Sequence, residues 1–429
     1  MQRRWKNSPV RPVPTGMTSH IESSPLRVAR VYSPGAHGRG FWFVASAFFV
    51  LMAFGTAPTA LWPLFEAHDG FGTTVVTIAF AAMVVGAASS FMAFGHLSDR
   101  LGRRRIIVPA LLVGLAGIII ITAWQSLPGL LVGRFVNGIG VGLMASTATA
   151  YLSDLYYEAH PDRRGSARPA LIATAANLGG LAIGPALAGL LAQFAPAPLV
   201  TPFVVLGAGM LVFAILSWMS PETVDRERRS TERASRIAFQ PRQGRIFIIG
   251  AASGLIAFAV FGLFSAVGAI VTGQVLGLHA PLMAAASPFA VFASSAILQL
   301  ALGARSLRFV ITLGSILLAV GLVLTTVTLF VPTLWMFLVG AVLAGGGGGL
   351  FFKAGLTITV MSAVQRSRAG VLALFFAIVY LGMGIPAVLF SILVAGVGLP
   401  VAMIAFSGVF GVGAFVVLGI QRRRMVVAA

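Results

Sequence analysis

The chain has 429 residues, of which 58% are hydrophobic and only 10% are charged, and its mean hydropathy is +0.95. Because soluble domains usually carry about 25% charged residues, this composition excludes an ordinary water-soluble protein and indicates a membrane protein. The formal net charge is +19 and the chain has no cysteine, which excludes disulfide bonds, thiol catalysis and cysteine-bound metals.

Twelve apolar runs follow one another along the chain, each close to the roughly 20 residues that a helix needs to cross a bilayer core of about 30 Å. A lipid-exposed backbone must satisfy its own hydrogen bonds, and the alternating ten-residue strands of a barrel are not seen, so the runs predict helices. In chain order the runs span residues 41–62, 74–94, 106–125, 128–150, 170–193, 198–218, 246–271, 281–302, 309–330, 333–357, 370–395 and 399–420.

Arginine and lysine residues are concentrated in alternate connections between the runs. They lie in the N-terminal tail, after runs 2, 4, 6, 8 and 10, and at the C-terminus. The only charged residues in the connections after odd-numbered runs are Glu66 and Asp69. By the positive-inside rule, both termini are predicted in the cytoplasm. We expect the membrane to be the plasma membrane. This placement also explains the positive net charge without a nucleic-acid partner, which we do not expect.

The most highly charged interior stretch, residues 220–245, divides the runs into two sets of six. It predicts a cytoplasmic linker between an N-terminal bundle, 41–219, and a C-terminal bundle, 246–420. Residues 1–40 are rich in Arg, Pro and Ser and lack the apolar core of a signal peptide, so they predict a disordered cytoplasmic tail. Residues 421–429 form a second short cytoplasmic tail.

The two halves share a pattern that predicts an internal repeat. The segment "GRFVNGIGVGL" in run 4 aligns with "GAVLAGGGGGL" in run 10, and a proline in run 5 aligns with one in run 11. Small residues four positions apart allow neighbouring helices to approach closely, so the glycines are expected to pack against other helices and the prolines to bend theirs. These packing residues are Gly138, Gly142, Gly345, Gly349, Pro185 and Pro386.

Four motifs resemble those of a known family. "GHLSDRLGRRR" at 95–105 resembles the signature loop between helices 2 and 3 of the major facilitator superfamily, and Arg134 with the glycines after it resembles the helix 4 motif. "GLAIGPALAG" at 180–189 resembles the helix 5 motif of proton-coupled exporters, and "SPET" at 220–223 resembles sugar-porter members. The matching residues are Gly95, Asp99, Arg100, Gly102, Arg103 and Arg104 in the loop, and Gly180, Gly184, Pro185 and Gly189 in run 5.

The resemblance implies an all-α membrane protein of twelve transmembrane helices in two six-helix bundles related by an internal repeat. It also implies that loop 95–105 acts as a latch that holds the cytoplasmic side closed. Asp99 would then contact the start of helix 11, where a helix N-terminus carries about half a positive charge. Arg103 would pair with Asp154 at the end of helix 4.

A few polar side chains within the runs are candidates for a transport pathway. Arg134 lies about six residues into run 4, where an arginine usually faces a cavity, although a snorkelling side chain is the alternative. Lys353 lies near the cytoplasmic end of run 10, where snorkelling is favoured over cavity lining. Asn137 and Asn177 can either line a cavity or bond to a neighbouring helix.

The acidic residues limit how protons can be carried, because none lies near the centre of a run. The remaining candidate carriers are Glu66, Asp99 and Asp154, or Arg134 acting with one of them. The same lack of a buried acid argues against a strongly cationic substrate.

The sequence therefore predicts a secondary transporter that works by alternating access, exporting a small apolar or amphipathic compound with proton coupling. Proton-linked uptake of a sugar or another metabolite is the alternative, and a non-transporting membrane receptor is a third interpretation. Neither a nucleophile–base pair nor a metal-ligand cluster indicates an enzyme, and we expect no cofactor and no metal. The expected partners are a small-molecule substrate, protons and the lipid bilayer, with the chain acting as a monomer.

Overall fold

The computed structural model describes residues 33–70, 72–95, 97–224, 237–241, 243–364 and 367–427. Within this part, twelve helices are long and apolar enough to cross a membrane, in the order that the twelve runs predict. They are α1 (Pro34–Thr56), α2 (Thr73–Phe94), α3 (Arg104–Ala123), α4 (Leu127–Ala159), α5 (Arg168–Phe194), α6 (Thr201–Trp218), α7 (Gly244–Ile270), α8 (Pro281–Leu302), α9 (Leu307–Thr328), α10 (Leu334–Ser362), α11 (Arg368–Val397) and α12 (Leu399–Val427).

The first and last helices are longer than their apolar runs. Helix α1 begins at Pro34, inside the segment that the composition predicts to be disordered. Ser33 caps this helix by accepting a hydrogen bond from the Ala36 N–H at 3.3 Å, and proline suits the first turn because its missing N–H would have no helical partner there. Helix α12 likewise continues past its run to Val427. Residues 1–32 lie outside the described residues.

The end of α1 is broken into shorter pieces. A 3₁₀ turn, Ala57–Ala60, follows α1 directly, and a short helix, Trp62–Asp69, follows the turn. Pro58 and Pro63 each occupy a first-turn position of these pieces, since proline cannot donate the backbone hydrogen bond that a continuous helix requires. The break divides the connection between α1 and α2 into short helical pieces. It leaves backbone carbonyl groups at the end of α1 near α4.

Two glycines of α4 bring it into close contact with α2. A Cβ atom added to Gly138 would clash with the Met83 carbonyl oxygen and would lie 2.9 Å from the Ala87 nitrogen. A Cβ atom on Gly142 would lie 2.7 Å from the Ala87 carbonyl oxygen. Only glycine therefore permits this approach of the two backbones.

In α10, Gly345 and Gly349 bring the helix into the same close contact with α8. A Cβ atom on Gly345 would clash with the Val291 carbonyl oxygen, and one on Gly349 would lie 2.8 Å from the Ser295 Cα atom. In each half, the fourth helix thus packs through paired glycines on the second helix. The sequence repeat is accordingly also a repeat of helix packing.

Helix α5 packs on both halves through its glycines. A Cβ atom on Gly180 would lie 2.8 Å from a side chain of α1, one on Gly184 would clash with the backbone of α1, and one on Gly189 would lie 2.9 Å from a backbone oxygen of α8. Helix α5 runs on past Pro185, and α11 runs on past Pro386.

The two halves meet along α2 with α11 and along α5 with α8, within one compact unit, Ser33–Ala429. Towards one end of this interface the rings of Phe91 and Phe376 stack at 5.2 Å. Towards the other end the hydroxyls of Thr74 and Ser391 lie 3.3 Å apart.

The described parts of the linker contact different halves. Ser220–Val224 lie against the loop between α2 and α3, as detailed below. Near the other end of the linker, the Gln240 N–H donates to the Ser362 carbonyl at 2.9 Å, and the Val364 N–H donates to the Ala238 carbonyl at 3.2 Å. Residues 225–236 lie outside the described residues.

Candidate functional site

The candidate residues are distributed between the two ends of the helical bundle. The loops after α2, α4, α6, α8 and α10 share one end, which we call the basic end because it carries most of the arginines among the described residues. The connections after the odd-numbered helices share the opposite end. Because the helices alternate in direction, each end collects loops from both halves.

At the basic end, Arg103 joins the start of α3 to the last turns of α4. Its Nε lies 3.2 Å from Asp154 Oδ2, forming the ion pair that the family resemblance implies. A terminal nitrogen of Arg103 donates to Ser98 Oγ at 3.0 Å, and the Thr223 hydroxyl donates to the same Asp154 oxygen at 3.2 Å. Both sides of the pair retain solvent exposure, 15% for Arg103 and 38% for Asp154, so the pair orients the loop more than it stabilises the fold.

Glu222 occupies the centre of this network. Its Oε1 accepts hydrogen bonds from the backbone N–H groups of Arg103 at 2.8 Å and Thr223 at 3.1 Å. A carboxylate at the start of α3 is favourable because the free N–H groups and the helix dipole are positive there. The carboxylate fits only because Gly102 adopts φ +111°, and a Cβ atom there would lie 2.7 Å from the Glu222 Cδ atom.

Arg104 binds the segment after α6 from its other side. Its guanidinium donates to the carbonyls of Trp218 at 3.1 Å and Ser220 at 3.2 Å, and it lies 5.3 Å from the centre of the Trp218 ring. The Tyr151 hydroxyl of α4 donates to the Pro221 carbonyl. The loop after α2, the end of α4 and the segment after α6 are therefore bonded into one unit.

Gly95, Asp99 and Arg100 are three further residues of the predicted latch. The side chains of Asp99 and Arg100 lie outside the described residues. Gly95 lies at the interface between the halves, where a Cβ atom would approach Ala373 of α11 to 3.1 Å. The backbone thus brings the latch loop to the first turns of α11.

Deeper in the N-terminal half, Arg134 is completely buried. Its two terminal nitrogens donate to the Gly55 carbonyl at 3.1 and 3.0 Å, and one of them lies 3.1 Å from the sulfur of Met83. Its guanidinium carbon lies 5.8 Å from the centre of the Trp62 ring. Arg134 thereby binds α4 to the broken end of α1, and it is not a snorkelling side chain.

The two asparagines have different surroundings. Asn137 is fully buried and packs against Gly117 of α3, and its amide has no hydrogen-bond partner among the described residues. Asn177 of α5 is half-buried, and its carbonyl oxygen is also without a described partner. Lys353 lies apart from both, with its Cε atom 3.6 Å from the Cβ position of Gly303 at the end of α8.

A cavity of about 220 Å³ lies near the opposite end, between the two halves. The N-terminal half contributes residues from the short helix after α1 and from α2, and the C-terminal half contributes residues from α7, α8 and the segment between them. The polar or aromatic lining residues are Trp62, Glu66, Thr77, Thr272, Gln274 and His279.

Glu66 is the acidic group of this cavity. It lies one helical turn after Trp62 on the same face of the short helix. The carboxyl is half-buried, and burial raises the pKa of Glu66 above its ordinary value because it disfavours the charged form. The Trp62 ring also packs against the guanidinium of Arg134, so the buried arginine lies directly behind the cavity wall.

The structure brings together two groups of sequence-predicted residues and separates others. Arg103, Arg104 and Asp154 meet at the basic end, whereas Glu66 and Arg134 each lie near Trp62, one in the cavity and one behind its wall. Asn137 faces α3, and Lys353 belongs to neither group. Sequence reasoning missed the cavity residues Trp62, Gln274 and His279, and it missed the function of Glu222, for which the "SPET" motif was the available signal.

Sugar and inositol transporters are among the curated proteins that this chain resembles. It is 35% identical over 94 residues to glucose transporter GlcP of Staphylococcus epidermidis, which covers 22% of this chain and 20% of that protein. It is 38% identical over 85 residues to the facilitated glucose transporter member 8 of solute carrier family 2 from Bos taurus, covering 20% of this chain and 17% of that protein. It is 29% identical over 89 residues to the arabinose-proton symporter of Bacillus subtilis, covering 21% and 18%. These matches thus span at most a fifth of the relatives' length.

Solved structures share the fold over nearly the whole chain. The human organic anion transporter MFSD10 (TETRAN) superposes with a TM-score of 0.67 at 16% identity, covering 89% of this chain and 99% of that one. A POT family transporter in complex with 5-aminolevulinic acid superposes with a TM-score of 0.71 at 14% identity, covering 90% and 96%.

The family follows from the model that matches the sequence. A model described as Major Facilitator Superfamily matches residues 43–328, which is about two thirds of the chain. That match agrees with the twelve helices and with the structural similarity. The chain is therefore a multi-pass membrane transporter, not an enzyme, and it belongs to the major facilitator superfamily.

Proposed function

We propose that this chain takes up a sugar or a similar polyhydroxylated metabolite by alternating access, with proton coupling. The cavity between the halves is the single observation that carries the proposal, because it combines an aromatic ring with several hydrogen-bonding groups. The similarity to glucose, inositol and arabinose transporters supports uptake over the export that the helix 5 motif favours.

The chemistry of the cavity suits a substrate with many hydroxyl groups. Gln274 is exposed at the cavity and offers an amide that both donates and accepts. The Thr272 hydroxyl donates to the Gly268 carbonyl at 2.9 Å and keeps its lone pairs as acceptors. The ring of Trp62, which is 2% exposed, forms part of the apolar wall beside these groups. Polar groups from α2 on one side and from the end of α7 on the other would let the substrate bind both halves at once.

The end of α7 has a geometry suited to this role. Residues Val271–Val275 form a π-helical turn that contributes Thr272 and Gln274 to the cavity. Such turns are rare and often occur at functional sites, because they rotate side chains out of the regular helical register. Here the turn supports the assignment of the cavity as a substrate site.

Glu66 is the proposed proton carrier. Burial raises its pKa, so it binds a proton at a higher pH than an exposed glutamate would. A protonated Glu66 carries no charge and can donate a hydrogen bond to a substrate hydroxyl. Release of that proton on the other side of the membrane would link transport to the proton gradient.

The network at the basic end is the proposed latch. Asp99 on the loop would reach the N-terminus of α11 in the state that is closed at this end, while Arg103, Asp154 and Glu222 hold the loop in position. Opening would require the α2–α11 contact near Gly95 to separate. We propose that the basic end, with both termini, faces the cytoplasm and that the protein acts as a monomer in the plasma membrane.

An exchange assay tests the substrate class. Proteoliposomes that contain the purified protein are loaded with labelled glucose, arabinose, inositol or an amphipathic dye. Exchange of the label is then followed without a proton gradient. The proposal predicts saturable exchange of at least one polyol and none of the dye, reduced strongly by Gln274→Ala. Exchange of the dye alone would restore the export interpretation and exclude uptake of a polyol.

A further inference from the structure

A second groove, of about 390 Å³, opens at the basic end of the N-terminal half, away from the cavity between the halves. The first turns of α1, the last turn of α4 and the first turn of α5 form its walls. Phe41 and Trp42 come from α1, Tyr156 from α4 and Arg168 from α5, with His160 in the connection between α4 and α5. Neither the transport cycle nor the latch uses this groove.

The charge that lines the groove is positive. Arg168 is exposed at the first position of α5, and no lining residue is acidic. Helix α5 has 27 residues, so its N-terminus adds about half a positive charge at the same place. These features favour an anion.

Aromatic side chains hold the polar groups of the groove in place. The rings of Tyr156 and His160 stack at 4.7 Å, and His160 Nδ1 lies 3.2 Å from the Tyr156 carbonyl oxygen. The Tyr156 side chain is only 5% exposed, and its hydroxyl makes no hydrogen bond of good geometry with a described residue, although Arg163, Ser166 and Arg168 lie close to it. A buried hydroxyl in this situation indicates a missing partner.

The rim of the groove is apolar. Trp42 is 59% exposed and Leu171 is 42% exposed; Trp42 lies in the third turn of α1 and Leu171 in the first turn of α5, both membrane-length helices. Tryptophan at such a position is typical of the membrane–water interface. The groove therefore offers an anion site and an apolar surface side by side, as the headgroup and acyl chain of a lipid require.

We propose that this groove binds an anionic phospholipid of the inner leaflet. The headgroup phosphate would accept hydrogen bonds from Arg168 and the Tyr156 hydroxyl, and an acyl chain would lie over Trp42 and Leu171. Basic grooves between helices on the cytoplasmic side suit such headgroups. The inference rests on the orientation of the basic end and is independent of the substrate.

Native mass spectrometry of the full chain, purified with phosphatidylglycerol or phosphatidylcholine, tests the proposal. We expect phosphatidylglycerol to be retained over phosphatidylcholine, and Arg168→Gln to weaken its retention about fivefold. Tyr156→Phe should weaken it as well. Arg105→Gln removes the same charge from an exposed position at the start of α3 and should leave retention unchanged.

Two results would overturn the proposal. One is equal retention of both lipids, or equal loss in the Arg168 and Arg105 variants, which would leave only non-specific attraction. The other comes from the shift of the Trp42 emission maximum on binding, measured as the difference from the Trp42→Phe variant. If soluble glycerol phosphate shifts it as strongly as short-chain phosphatidylglycerol does, the groove binds a free phosphate and not a lipid.

Discussion

The backbone N–H of Arg103 donates a hydrogen bond to Glu222 Oε1 at 2.8 Å, which joins the first turn of α3 to the segment after α6, more than a hundred residues later. The same arginine uses its side chain to hold Asp154 at the end of α4. One residue thus connects three segments of the N-terminal half, and the loop that would form the latch is positioned by this connection.

Gly102→Ala should disturb this connection. The φ of +111° disfavours any residue with a Cβ atom, and that atom would displace the Glu222 carboxylate. We expect a loss of about 1–3 kcal/mol in stability, seen as a lower melting temperature in detergent. Gly408→Ala in α12, where a Cβ atom meets nothing within 4 Å, is the matched control. Equal melting temperatures for the two variants would contradict the capping role of Glu222.

The packing of α10 gives a second prediction. Gly345→Leu or Gly349→Leu would insert a side chain into the backbone contact with α8, and overpacking of this kind typically costs about 1–3 kcal/mol. Because the cost need not be equal in the inward-open and outward-open states, the balance between them should shift and turnover should slow. Gly346→Ala should be mild, since its Cβ atom meets only the end of the flexible Leu298 side chain.

Cysteine accessibility from each side of the membrane measures that shift. The chain has no cysteine, so a single introduced cysteine reports without background. If leucine at 345 and 349 changes neither accessibility nor transport, the glycine run is not required for close packing.

The pH dependence of uptake tests Glu66. Burial raises the pKa of its carboxyl, so protonation and any stability that it contributes are complete at low pH and are lost as pH rises through the folded-state pKa. Uptake should therefore increase as the external pH falls through that value. Glu66→Gln, which stays neutral, should give a flat profile, whereas Glu158→Gln at the basic end should keep the wild-type profile. A wild-type profile in Glu66→Gln would assign the proton to another group.

The orientation of the chain is tested by labelling. His68→Cys lies in the connection after α1, and Ser230→Cys lies in the linker. We expect a membrane-impermeant thiol reagent to label the first in intact cells and the second only after the membrane is opened. The reverse pattern would invert the orientation that the arginines indicate and would place the lipid groove in the outer leaflet.

Much of the fold was predictable because the membrane restricts the possibilities. Twelve apolar runs with arginines in alternate loops admit few arrangements other than twelve alternating helices. The paired glycines Gly138 with Gly142, and Gly345 with Gly349, also revealed close packing, since the repeated spacing of small residues is a local feature of the sequence.

The cavity was less predictable because its residues are close only in space. Trp62 begins a short helix in one half and His279 lies in a connection of the other half, so no periodicity within one run relates them. Glu222 was missed for a related reason: its function depends on the left-handed φ of Gly102 and on a contact across the loop. The start of α1 at Pro34 was hidden by the polar composition of the segment before the apolar run.

Uptake driven by an imposed proton gradient tests proton-linked transport most directly. Proteoliposomes with protein of known orientation are diluted into acidic buffer with a labelled polyol identified by exchange. We expect accumulation above the external concentration, abolished by a protonophore and by Glu66→Gln, while exchange without a gradient persists in that variant. Accumulation that requires acid on the inside, or that is the same with and without the gradient, would contradict proton-linked uptake.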